Sequence, residues 1–161
     1  MSTTAIPLSA KGSKAVRVIL WAGLIAGILD ITGACVVAWL RGSTTPVAVF
    51  KYIASGIYGR AAFTSGTKMA VIGLILHFFI ATTWATVYYH ASQRIKFLIN
   101  QPIIAGVLYG ILVFLFMNFV VLPLSAVAKR PVPLSSRIIG MLVIILCIGL
   151  PIAFVVRRLS K

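Results

Sequence analysis

Polar and apolar positions in this chain separate into long blocks. Residues 16–40, 69–89, 103–122 and 138–156 are almost uninterrupted apolar runs. A helix needs about 20 residues to cross a hydrocarbon core of roughly 30 Å. Each run therefore predicts one membrane-spanning helix, the fourth only just. Aromatic residues mark several of their ends: Trp21 and Trp39 on the first, Trp84, Tyr88 and Tyr89 on the second. Such side chains favour the membrane–water boundary, where an apolar ring and a polar edge are both satisfied.

The segments between the runs carry helix and turn signals of their own. Thr44-Thr45-Pro46 reads as a cap followed by proline in the first helical turn. Val47, Phe50, Ile53, Ala54 and Ile57 then recur at spacings of three and four, while Lys51 and Arg60 take other positions. That pattern predicts a short amphipathic helix over about 46–57, lying in the membrane interface. Gly56 and Gly59 should weaken or end it. A re-entrant segment is the alternative, because Ile53-Ala-Ser-Gly-Ile-Tyr-Gly59 is apolar and rich in small residues. Asn100-Gln101-Pro102 marks the start of the third span. Pro131 and Pro133 stiffen the third connection, and Ser135 or Ser136 is a candidate cap for the fourth span.

Three segments follow: a basic N-terminal stretch at 1–15, a single transmembrane domain at 16–157, and a basic tail at 158–161. The first run is longer than the apolar region of a signal peptide and ends in Trp39-Leu40-Arg41 rather than a small-residue cleavage site, so it reads as a retained span.

Composition strengthens the membrane reading. The chain has 161 residues, 61% of them hydrophobic and 10% charged, with a mean hydropathy of +1.10. Soluble domains are nearer 45–50% apolar and about 25% charged. The formal net charge is +14, but Lys and Arg sit at the ends of the apolar runs. There they meet anionic headgroups, so anionic phospholipid is the expected partner and nucleic acid is not. Lys129, Arg130, Arg157 and Arg158 are candidate headgroup contacts. An up-down-up-down bundle puts both termini on one side. Lys11, Lys14, Arg17, Arg94, Lys96, Arg157, Arg158 and Lys161 then face the residues Arg41, Lys51, Arg60, Lys68, Lys129, Arg130 and Arg137. Eight against seven barely discriminates; cytoplasmic termini are the expectation adopted. An antiparallel dual-topology dimer would also fit such a balance. Cys35 and Cys147 form no CxxC pair, and a disulfide between them requires helices that touch at matching depth.

One acidic residue stands against those fifteen basic ones: Asp30, in the middle of the first run. A carboxylate at membrane depth is costly unless it is neutral, paired or hydrated, which makes it a functional-site candidate. Gly23, Gly27, Asp30 and Ala34 share one helical face, and Gly23-x-x-x-Gly27 permits close backbone approach. Gly73 and His77 share a face of the second span, and Gly106 and Gly110 one of the third. At about 1.5 Å per residue, Asp30 and His77 both lie about 3 Å from their span centres towards the first loop. Asn118 lies about 9 Å towards the same side. Asp30, His77 and Asn118 therefore form a candidate buried polar or proton site. The structural alternative is an interhelical polar bond worth about 0.6–2 kcal/mol. No nucleophile–base–orienter motif, glycine-rich phosphate loop or two-metal carboxylate set occurs, so neither enzyme activity, cofactor nor metal is expected.

Gly23-Leu-Ile-Ala-Gly-Ile-Leu-Asp30, Tyr52-Ile-Ala-Ser-Gly-Ile-Tyr-Gly59, His77 and Asn118-Phe-Val-Val-Leu-Pro-Leu-Ser125 together resemble a family of small four-span bacterial inner-membrane proteins. The resemblance covers about residues 16–157. It extends more distantly to inner-membrane proteins linked to acid resistance. It implies a bacterial inner membrane and a link to proton stress, and it supplies no catalytic residues. The expected fold is an all-α bundle of four spans with one interfacial helix. The expected role is a small accessory subunit that packs against a membrane-protein partner, or a homo-oligomer, and against anionic lipid. The alternative is proton-coupled or small-solute transport by an oligomer through Asp30 and His77.

Overall fold

A computed structural model describes residues 8–42, 45–129 and 131–160, with side chains from Gly12 onward. Expectations that fall on residues 1–7, Thr44, Arg130 or Lys161, or on the side chain of Lys11, lie outside the described residues. The described elements are all helical: α1 (Leu8–Leu40), α2 (Pro46–Tyr58), α3 (Ala61–Thr64), α4 (Lys68–Arg94), α5 (Phe97–Asn100), α6 (Pro102–Phe116), α7 (Leu122–Leu124), α8 (Leu134–Ile144) and α9 (Leu150–Ser160). A wide π turn at Met117–Val121 joins α6 to α7, and another at Ile145–Gly149 joins α8 to α9. Four continuous helical stretches result, Gly12–Leu40, Lys68–Arg94, Pro102–Leu124 and Leu134–Ser160, each long and apolar enough to cross a membrane. The protein is an all-α, multi-pass membrane protein.

These helices run past the apolar blocks, most clearly at Leu8 and also at Arg94 and Leu134. A helix continues into the headgroup region, where long basic side chains reach water while their stems stay apolar. Hydropathy therefore marks the hydrocarbon crossing rather than the helix end. The π turns have a local cause. Pro123 and Pro151 lie just beyond them, and proline removes one backbone donor and pushes against the carbonyl a turn earlier. Widening the preceding turn relieves that crowding.

Glycines set which helices touch. α1 and α4 run antiparallel: a Cβ at Gly23 would lie 2.8 Å from the Thr82 backbone, and one at Gly27 would lie 2.7 Å from the Phe78 ring. α6 meets the fourth span in the same way, with Gly106 against Leu150 and Gly110 against the Ile145 backbone. A Cβ at Gly149 would fall 2.2 Å from the Gly106 carbonyl, so those two backbones are in direct contact. α1 also lies along the fourth span, where Gly33 faces Val143 and Cys147. At its ends, Lys14 Nζ donates to the Ser160 carbonyl (3.3 Å) and Arg41 donates to Ser136 Oγ. Ser136 thus receives a cross-span bond; Pro133 occupies the cap position with no side-chain cap. Cys35 and Cys147 are both free thiols.

The half of the bundle nearest the termini is densely filled. Val18, Ala22, Ala26, Ala85, Tyr88, Ile152 and Val156 are buried in one core. α4 and α6 are bridged there by aromatic rings: Trp84, Tyr88 and Tyr109 make edge-on contacts with centroids 4.9 to 6.0 Å apart. The hydroxyls are satisfied by carbonyls, Tyr109 Oη donating to Trp84 (2.6 Å) and Tyr88 Oη to Leu98 (2.9 Å). Such pairing lets tyrosine sit in an apolar core.

α2 closes the opposite end. Thr45 caps it, accepting from the Ala48 amide at 3.4 Å, with Pro46 at the first turn. Gly59, at a φ of +57°, ends it. α2 packs on α4 where Gly73 has no side chain, so the Phe50 carbonyl occupies the space a Cβ would need. The Ala126 amide donates to the Gly56 carbonyl (2.9 Å), tying the third connection to α2. The amphipathic helix is therefore anchored into the bundle as a cover, with Val47 and Ile57 left exposed on its outer side.

Candidate functional site

Beneath α2 the helices do not meet. A cavity of 260 Å³ remains there, walled by α1, α2, α4, α6 and the fourth span. Its polar-bearing residues are Asp30 from α1, His77 from α4 and Tyr52 from α2; Ile31, Ile80, Val113 and Ile148 represent its otherwise apolar wall. Asp30 and His77, placed at equal depth by counting along their spans, thus line one space.

The glycine at 27 explains how His77 is held. With no side chain there, the Phe78 ring fits against α1, and the neighbouring His77 reaches the Gly27 carbonyl at 2.9 Å from Nε2. A carbonyl only accepts, so Nε2 carries the hydrogen. Nδ1 is then the acceptor atom of the ring. His77 is 8% exposed and gains an edge-on contact with Phe78, centroids 5.5 Å apart. Its bond is thus to the backbone of α1 rather than to the Asp30 carboxylate.

Asp30 is half-buried. The titratable groups around it come from three directions: His77 on α4, Tyr52 on α2 and Cys147 on the fourth span. Partial burial pushes the Tyr52 phenol above its ordinary value, so it stays neutral at physiological pH and offers a hydroxyl rather than a charge. Among the described residues no three of His, Cys, Asp and Glu gather to hold a metal.

Asn118 does not join this cavity. It lies in the π turn after α6, and its Nδ2 donates back to the Phe114 carbonyl at 2.9 Å. It lines a second, outer pocket of 380 Å³ with Lys129 and Arg137. Tyr52 forms part of the wall of both spaces. The expected three-residue cluster is therefore two adjoining sites that share a tyrosine.

The packing glycines are placed as follows. Gly23 and Gly27 face α4, Gly73 faces α2, and Gly106 and Gly110 face the fourth span. Ala34 lines the cavity instead of a helix seam. The glycine faces are used within the chain, so they carry no argument for a partner helix. Of the headgroup candidates, Lys129 lines the outer pocket, and Arg157 and Arg158 lie in the last turn of α9. His90 is exposed at the end of α4 beside Tyr89.

Two site residues carried little sequence signal. Tyr52 lies outside the predicted apolar face of a short helix, and only the seating of α2 brings it to the same cavity as Asp30. Arg137 looked like one more span-end cation. The prolines at 123 and 151 were the available clue to the π turns.

Fold and site together define a four-span helical membrane protein in which an acidic residue and a histidine line one apolar cavity. Comparison with protein-family models, curated proteins and solved structures finds no match.

Proposed function

We propose that this protein binds a small, largely apolar cation inside the membrane in exchange for a proton, and carries it across. The observation that supports this reading is that the chain's one acidic residue, Asp30, and His77 both line an apolar cavity between the helices. A carboxylate there is neutralised by a proton or by another cation. The two compete for Asp30, which couples their movements. His77 Nδ1 accepts the displaced proton and passes it to water. The apolar wall selects a solute with little polarity beyond its charge. A cavity of about 150 Å³ holds benzene; at 260 Å³ this one suits a cation of about ten to twelve heavy atoms.

An accessory subunit would offer its glycine faces to partner helices, and those faces are filled by the chain itself. The interior cavity carries the stronger argument. The resemblance to bacterial inner-membrane proteins with links to acid resistance fits a proton-exchanging site. We place the protein in that membrane with both termini cytoplasmic.

Dicyclohexylcarbodiimide tests the proposal, since it modifies protonated carboxyls in apolar surroundings. Asp30 is the only acidic side chain, so a peptide map isolates its adduct. In vesicles, modification should fall as pH rises, and benzyltrimethylammonium should protect. Asp30→Asn should remove both the adduct and pH-driven uptake of that cation. Unchanged uptake by a folded Asp30→Asn protein would overturn the reading.

A further inference from the structure

We propose that the outer pocket and the groove below it on α6 form a site for one anionic phospholipid. The pocket lies where α7 ends at Leu124 and α8 begins at Leu134, the level of the headgroups if these helices cross a bilayer. Lys129 and Arg137 both line it together with Asn118, whose amide keeps one N–H beyond its bond to Phe114. Pro131 and Pro133 stiffen the short connection between the two cations.

Their counter-charge must come from outside the protein fold. The chain has one acidic side chain, and Asp30 lines the other cavity. Two cations without an internal carboxylate attract a phosphate, and Arg does so with a fork of donors. Scattered basic residues would do this diffusely. Convergence at a single interhelical pocket is what a dedicated headgroup site requires.

The apolar part of the ligand is indicated by a second observation. Phe119 belongs to the wall of the outer pocket and also to a shallow, open apolar trough that continues along α6 through Leu115 and Leu112 to Leu108. From Phe119 to Leu108 the helix rises about 16 Å. Half of a roughly 30 Å hydrocarbon core is about 15 Å, the depth of one leaflet. A basic head pocket thus runs into an apolar trough one leaflet deep. That shape fits a phosphodiester lipid with its phosphate between Lys129 and Arg137 and an acyl chain along α6. A free phosphate would leave the trough unused.

The inference stands apart from cation exchange at Asp30 and is tested without any transport measurement. The detergent-solubilised full chain would be titrated with phosphatidylglycerol, phosphatidylcholine and inorganic phosphate, with bound species counted by native mass spectrometry. One phosphatidylglycerol should bind at least tenfold more tightly than phosphatidylcholine. Lys129→Gln with Arg137→Gln should weaken it about thirtyfold, the combined effect of losing two basic contacts to a headgroup. Arg94→Gln with Lys96→Gln removes equal charge from the other end and should change it less than twofold. Leu112→Trp, which fills the trough and leaves every charge, should also weaken binding. Equal losses from both basic pairs would mean diffuse attraction and overturn the site. So would an unchanged affinity in Leu112→Trp, or displacement of the lipid by millimolar inorganic phosphate.

Discussion

The two halves of this bundle are built from similar residues and do different things. The half nearest the termini is closed by alanines, glycines and a Trp84–Tyr88–Tyr109 aromatic bridge with its hydroxyls bonded. The other half leaves a cavity under α2 and places Asp30 and His77 against it. The difference lies in what spans the gap between α4 and α6. Large rings span it in one half. In the other, a separate short helix is laid over it. A membrane bundle gains little from hydrophobic sequestration between helices, because lipid is as apolar as leucine. Direct packing must hold it together. One half therefore fixes the fold and frees the other to hold a costly carboxylate.

The largest effect should come from breaking the closed seam. Gly149→Ala places a Cβ against the Gly106 carbonyl and the Gly110 backbone, at 2.2 and 2.8 Å. Backbone cannot rotate aside, so the variant should lose about 3 kcal/mol or more in a denaturant titration in mixed micelles. Gly140→Ala is the control: the nearest atom to its Cβ would be Phe114 Cε2 at 3.8 Å. It should be neutral, or more stable by up to about 1 kcal/mol through helix propensity. Equal losses at both glycines would show that the closeness of the seam is not what stabilises the bundle.

Removing the polar pair should give the opposite division between stability and activity. Asp30→Asn should change stability by no more than about 1 kcal/mol and remove proton-linked uptake. His77→Phe should cost about 1 kcal/mol, through loss of the bond to Gly27, and should blunt the pH dependence of uptake. A variant at either position that unfolds the protein while a folded remainder keeps normal uptake would make the pair structural.

A milder test lies in the aromatic bridge. Tyr109→Phe deletes only the hydroxyl that donates to Trp84 and keeps the ring contacts. Such bonds within membranes average about 0.6 kcal/mol, and the loss should appear in stability with uptake unchanged. An uptake defect would mean that the two halves are mechanically coupled.

How much of this could be read from the residues differs by half. The spans were legible because lipid demands unbroken apolar runs, and the glycine positions because close approach demands small residues. The common depth of Asp30 and His77 followed from helical rise along two regular helices. On the same count Asn118 lay about 6 Å nearer the first loop, and its amide is turned back onto the Phe114 carbonyl. The seating of α2 was legible only in outline. Its amphipathic period gave a helix at the interface, whereas its contact with α4 depends on a backbone carbonyl meeting Gly73, which no periodicity encodes.

The smallest effect concerns that cover. α2 is held by the Thr45 cap, the Ala126–Gly56 bond and the close contact at Gly73. Thr45→Ala removes only the cap, a loss of about 1 kcal/mol, and it does so at the edge of the molecule. The whole bundle should unfold at nearly the same denaturant concentration. The amides of the first turn of α2 should exchange about fivefold faster, while those of α4 beside Tyr88 keep their rate. If the cavity opens by fraying of α2, carbodiimide should also reach Asp30 faster in this variant at a fixed pH. Faster exchange without faster modification would place the access route elsewhere, along the Tyr52 wall that the cavity shares with the outer pocket.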